Sequence, residues 1–150
     1  MIKILIIVFA FLIGCSPTHQ ATQTIMPPSD SPTPIPEQQN LYIPKSGDTK
    51  LEKGPAFVEE AGVLILKGNP QKFELHLSGN LPDPCHELRI SVDEPDTSNN
   101  IKVDVYSVSN PEMVCIQVLK AFSANFELGS FPTGHYSVIV NGDLVAEFDA

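Results

Sequence analysis

From residue 72 onward, apolar side chains recur at every second position in one run after another. Phe73, Leu75 and Leu77 alternate with Glu74 and His76. Leu88, Ile90 and Val92 alternate with Arg89 and Ser91, and Ile101, Val103 and Val105 with Lys102, Asp104 and Tyr106. A period of two turns one face of an extended strand to a core and the other to water. Helical periodicity is weak over the same region. Turn-forming clusters separate the runs: Gly68-Asn69-Pro70, Gly79-Asn80, Pro95 to Asn100, Asn110-Pro111 and Pro132-Thr133-Gly134. The spacing predicts strands over 57–66, 72–78, 86–93, 100–107, 114–120, 122–128, 135–140 and 143–149.

Strands this short, with turns this regular, make an all-β sandwich or barrel. About 7–8 of them in some 95 residues fit an immunoglobulin-like antiparallel β-sandwich spanning 54–150. The last hairpin can be argued in detail. Asn141-Gly142 suggests a two-residue turn, which would pair Val140 with Asp143. Tyr136 and Val138 would then face away from Leu144, Ala146 and Phe148. A three-residue loop over Val140-Asn141-Gly142 brings all five to one face. A one-residue slip flips every side chain, so burial sets the register, and the three-residue loop is the expectation. Gly134-His135-Tyr136 resembles the tyrosine corner of sandwich domains, in which the phenol bonds nearby backbone.

The chain begins differently. Lys3 precedes an unbroken apolar run of ten residues, Ile4 to Ile13. A membrane-spanning helix needs about 20, so the run reads as the h-region of a secretory signal. It closes on Leu12-Ile13-Gly14-Cys15, which resembles the lipobox of bacterial lipoproteins. That resemblance implies a signal peptide over 1–14 and lipid (diacylglyceryl and palmitate) on the Cys15 sulfur. The implied location is the cell envelope, on the outer side of the cytoplasmic membrane or in the outer membrane. Two or more acyl chains anchor a protein stably where one does not.

Residues 15–53 then form a tether. Eight of the chain's fourteen prolines fall between 16 and 55, and apolar side chains are sparse. Such a segment buries too little surface to offset its ordering entropy and is expected to be disordered and semi-extended. Leu41-Tyr42-Ile43-Pro44 is its one apolar cluster and has two open readings, free or docked on the domain as an extra edge segment.

With Cys15 assigned to lipid, Cys85 and Cys115 remain as an even pair in an exported domain, which implies a disulfide. Neither lies in a Cys-x-x-Cys motif. Three stretches carry a wider likeness: Gly79-Asn80-Leu81-Pro82 with Cys85, then Val114-Cys115-Ile116-Gln117, then Pro132-x-Gly134-x-Tyr136-x-Val138-x-Val140-Asn141-Gly142. Together they look like small exported bacterial domains of immunoglobulin-like type, for which no activity is implied.

Charge narrows the partners. From residue 55 onward there are fourteen acids and five bases, a net of −9. Phosphate backbones are bound by Lys and Arg, so nucleic acid is not an expected partner, and neither is direct attraction to anionic lipid. Asp93-Glu94-Pro95-Asp96 with Asn99-Asn100 could offer oxygens to Ca²⁺ but lacks the spacing of a dedicated loop, and reads as a solvated acidic turn. His76, His86 and His135 fall on different strands. A His with Asp83 or Glu87 is too small a set for zinc. No Ser stands in a Gly-x-Ser-x-Gly context. Adjacent Glu59 and Glu60 point to opposite faces of a strand and cannot flank one glycosidic bond. Tyr106 could stack on a sugar, though carbohydrate modules use several aromatics and the chain has no Trp.

The expectation is therefore a lipid-anchored protein that is not an enzyme and needs no cofactor. It would display an acidic β-sandwich that binds another protein through loops or an exposed strand edge. The alternative is an inhibitor of an exported protease, presenting Leu81-Pro82-Asp83-Pro84. A carbohydrate-binding module or small hydrolase follows at a distance.

Overall fold

The computed structural model describes residues 39–150. The expected signal peptide, the expected lipidation site at Cys15 and most of the expected tether lie outside the described residues. A short helix α1 (Gln39–Tyr42) and a 3-10 turn (Ser46–Lys50) lead into eight strands. These are β1 (Glu52–Pro55), β2 (Phe57–Leu66), β3 (Lys72–Leu81), β4 (Glu87–Val92), β5 (Asn100–Ser109), β6 (Lys120–Gly129), β7 (His135–Val140) and β8 (Asp143–Asp149).

The strands form two layers, as the period-two pattern requires. One sheet has the order β2-β3-β6 and is antiparallel throughout. The other is built around β5. Its one edge pairs with β4, its other edge is shared by β7 and β1, and β8 lies outside β7. The protein is thus an all-β sandwich of eight strands. One pairing departs from the antiparallel expectation: Asn100–Val103 of β5 runs parallel to Ser137–Val140 of β7. Between them the chain crosses to the opposite sheet as β6, and parallel neighbours need such a crossover.

The core lies between the layers. Phe73, Leu75, Leu77 and Leu81 of β3 face Ile101, Val103 and Val105 of β5, with Tyr136 and Val138 of β7 beside them, all buried. Phe73 and Phe148 stack with ring centroids 4.0 Å apart, and Phe131 and Tyr136 complete the aromatic cluster. The Tyr136 hydroxyl donates to the Pro132 carbonyl at 3.1 Å. That is the local phenol-to-backbone bond the sequence suggests.

The hairpin corrects one expectation. The turn is the two-residue one: Val140 pairs with Asp143, and Asn141 and Gly142 take left-handed φ of 52° and 99°. The register then shifts between Val138 and Ile139, so that Val138 pairs with Ala146 and Tyr136 with Phe148. A β-bulge on β8 thus does what the longer loop was expected to do. Leu144 falls before the shift, pairs with Ile139 and stays 60% exposed.

Two other expectations change. Residues 114–119 are not a strand, whereas β1 is one. The folded part also starts ahead of residue 54, where composition alone places it. Leu41-Tyr42-Ile43-Pro44 is docked: α1 lies against β4 and β6, and Tyr42 packs on the core. Asp48 pins the following turn by taking two bonds from buried Arg89, Nε to Oδ2 at 2.8 Å and Nη2 to Oδ1 at 3.0 Å.

Candidate interaction surface

The segment 113–119 joins β5 to β6 and is the strongest exposed apolar feature among the described residues. Met113, Val114, Ile116, Val118 and Leu119 are each between 51% and 100% exposed. Monomeric domains rarely leave contiguous apolar surface in water without a use for it. The segment is nevertheless held in place. At its start, Asn110 makes an Asx turn: its Oδ1 accepts from Glu112 N–H at 3.0 Å, and its carbonyl from Met113 N–H at 3.1 Å. In its middle, Cys115 is bonded to Cys85, with Cα atoms 6.2 Å apart. At its end, Lys120 pairs with Leu81 in the ladder, and its Nζ donates to the His86 carbonyl at 3.2 Å.

The failure to form a strand has a local cause. β6 pairs with β3 only as far as Lys120 opposite Leu81. Beyond Leu81, β3 gives way to Pro82 and Pro84, and proline cannot donate to a ladder. Residues 114–119 therefore run past the end of their neighbour. Val114, Ile116 and Val118 alternate, but Met113 and Leu119 are exposed as well, so the whole segment is left largely uncovered among the described residues.

The other end of the disulfide is built differently. In Leu81-Pro82-Asp83-Pro84, Leu81 and Asp83 turn inward at 1% and 7% exposed, whereas Pro82 is half-buried and Pro84 is exposed. The Asp83 carboxylate accepts from Cys85 N–H at 2.9 Å and contacts His86 Nδ1 at 2.8 Å. The His86 bond lowers the Asp83 pKa from the usual carboxylate value. Asp83, Cys85 and Cys115 offer metal-type atoms within 4.8 Å of one another. With both sulfurs in a disulfide there is no thiolate to bind an ion, and the cluster is structural.

The remaining candidates are spoken for by their neighbours. Asp96 accepts from Ser98 N–H, Asn100 N–H and Asn100 Nδ2, which ties the acidic turn together with its own carboxylate. His76 bonds Asn125, and His135 bonds Asp149, so the three histidines of the domain do not converge. Glu59 accepts from Asn80, and Glu60 from Ser78. Lys53 Nζ sits 3.9 Å from the Tyr106 ring centroid and salt-bridges Asp104, covering the ring face a sugar would need. Two shallow grooves flank the docked Leu41–Pro44 strap between β4 and β6. One, of about 490 Å³, has Ile90, Ile101, Phe126 and Phe131 in its lining and Asp93 and Glu94 at its side. The other, of about 550 Å³, includes Arg89, already paired with Asp48 and Glu87.

These features define a disulfide-stapled β-sandwich with one long exposed apolar connection. Over residues 75–150, which hold both cysteines and that connection, the chain matches the family of the ORF11 beta-sandwich domain, and it belongs to that family. No curated protein and no solved structure matches it.

Proposed function

We propose that this chain is an exported, lipid-anchored lipoprotein whose acidic sandwich is a non-enzymatic docking module for another protein. Cys15 carries the lipid, the Pro-rich stretch spaces the domain from the membrane, and the envelope is its location. The disulfide supports export, since such bonds persist in oxidising compartments. It also uses two of the three cysteines in the chain and leaves Cys15 for lipid. The observation that carries the docking role is the apolar segment 113–119, held out in water by the Cys85–Cys115 bond.

Two measurements test the reading. Palmitate labelling of the full chain is expected to vanish in Cys15→Ser; labelling that survives overturns the anchor. A photo-crosslinking side chain placed at Val114 is expected to give a discrete protein adduct in cells, while one at exposed Lys67 does not. Equal labelling at both sites, or none at either, overturns the docking role.

Inhibition of an exported protease is the second reading. An extended loop braced by a disulfide suits a protease cleft. Leu81-Pro82-Asp83-Pro84 offers an exposed Pro84 on one side of the disulfide, and 113–119 is the more exposed loop on the other. Dose-dependent loss of protease activity that Ile116→Glu removes would favour it.

A further inference from the structure

We infer that the segment 113–119 pairs with the same segment of a second copy of this chain, the two running antiparallel about a two-fold axis at Ile116. The inference deepens the docking reading above by naming the partner, and it rests on that reading. Its warrant is the order of side chains. The seven residues Met113 to Leu119 carry no charge, and they are bounded by Glu112 on one side and Lys120 on the other. Antiparallel alignment about Ile116 sets Met113 against Leu119 and Val114 against Val118. It also sets Glu112 of each copy against Lys120 of the other. Val114, Ile116 and Val118 of both copies then line one face of the pair, with the Glu112–Lys120 charge pairs closing its ends, and Met113 and Leu119 lie on the other face. An isologous contact requires this kind of self-complementarity, and cross-strand apolar and opposite-charge pairs both favour it.

The surroundings leave these charges available. Glu112 has no ion-pair partner among the described residues. Lys120 Nζ donates to carbonyls of Pro84 and His86, which leaves an ammonium N–H and the full positive charge. The rest of the domain argues for the same face. A net charge of −9 opposes the approach of two copies, and the uncharged segment is where that opposition is weakest. The disulfide and the Asn110 turn hold the ends of the segment, while a tight turn in which Val118 N–H donates to the Ile116 carbonyl at 3.1 Å must open for the pairing. Apolar contact of this size suits a weak dimer, and copies confined to one membrane meet at raised effective concentration.

The experiment uses the full chain, with donor and acceptor fluorophores on separate preparations, in detergent micelles and in phosphatidylcholine vesicles. Energy transfer is expected for the natural sequence. Glu112→Lys and Lys120→Glu each replace two attractive pairs by two repulsive ones, and each should weaken association about tenfold or more. A mixture of the two single variants restores both attractive pairs and should recover transfer, as should the double variant. That rescue also shows that the single variants are folded. Ile116→Glu should abolish transfer by placing two carboxylates at the axis. Absence of transfer among vesicle-bound natural chains, or in micelles where the chains fail to float, overturns the inference. So does transfer that ignores the charge reversals, or a mixture no better than its components. Flotation of the same vesicles reads the lipid anchor separately. Vesicle-bound chains without transfer overturn only the pairing, and chains that fail to float overturn only the anchor.

Discussion

At the scale of single residues, Asn141 does more than form a turn. β7 covers β5 up to Val103, and β1 covers it from Tyr106 onward. The gap at Val105 is filled by the Asn141 side chain, whose Oδ1 accepts from Val105 N–H at 2.7 Å and whose Nδ2 donates to the Val105 carbonyl at 2.9 Å. One amide thus substitutes for a missing strand residue. Asn141→Gly keeps the left-handed turn at no steric cost but removes both bonds and leaves a part-buried N–H unpaired. It is expected to lose about 1–3 kcal/mol in denaturant unfolding. Asn141→Ala should lose more, because it adds the strain of positive φ. Equal stability of the glycine variant and the natural sequence would show that water replaces the amide. Gly79 is constrained in the opposite sense. A Cβ there would run into the Phe57 carbonyl oxygen, where β2 bulges around it. Gly79→Ala should cost about 1–3 kcal/mol and raise hydrogen exchange along β2 before β3.

At the scale of elements, what was legible in the sequence follows from what alternation reports. β3, β5 and β7 were readable because one face of each is buried by this same chain. Residues 114–120 alternate just as well, yet their apolar face has no cover among the described residues. Alternation shows that a face is apolar and is silent about which molecule covers it. β1 and the Ser46–Lys50 turn were invisible for the opposite reason. They carry few apolar side chains and are held by the ladder to β5 and by Arg89, 41 residues away in sequence from Asp48. The bulge on β8 is not legible in the turn residues, because a bulge separates turn type from register. The exposed segment itself gives an element-scale prediction. The Cys85–Cys115 bond closes a separation of 30 residues, worth roughly 3.5 kcal/mol in the chain-entropy treatment. Replacing both cysteines by serine should destabilise the domain by about 2–5 kcal/mol and free the segment. Limited proteolysis should then cut first between Met113 and Lys120. Unchanged cleavage there would mean that the Asn110 turn and Lys120 suffice to hold it.

At the scale of the whole molecule, charge decides how stability depends on pH. Asp48 is held at about 2, against an ordinary 3.8, chiefly by its bonds from Arg89. A folded value below the unfolded one means that its contribution is complete above about pH 4 and is lost as pH falls toward 2. Asp83 and Asp96 are lowered too, by the His86 bond and by the Asn100 backbone bond respectively, and act in the same direction. His135 is displaced the other way: the Asp149 bond raises it above 6.5. Its contribution is complete below the unfolded value and is lost as pH rises through the folded one. The net charge adds to that alkaline loss. The chain carries −9 at pH 7 and is neutral near 4.7, so self-repulsion grows on the same side. Thermal unfolding should therefore show a stability plateau between about pH 4 and 6.5, with a steep acid limb and a shallow alkaline one. Asp48→Asn should flatten the acid limb, and His135→Gln the alkaline one. Added salt should raise the alkaline side more than the plateau, because it screens the repulsion. A melting temperature that climbs steadily to pH 8 would refute the assignment of His135 and of the acidic surface as the opposing terms.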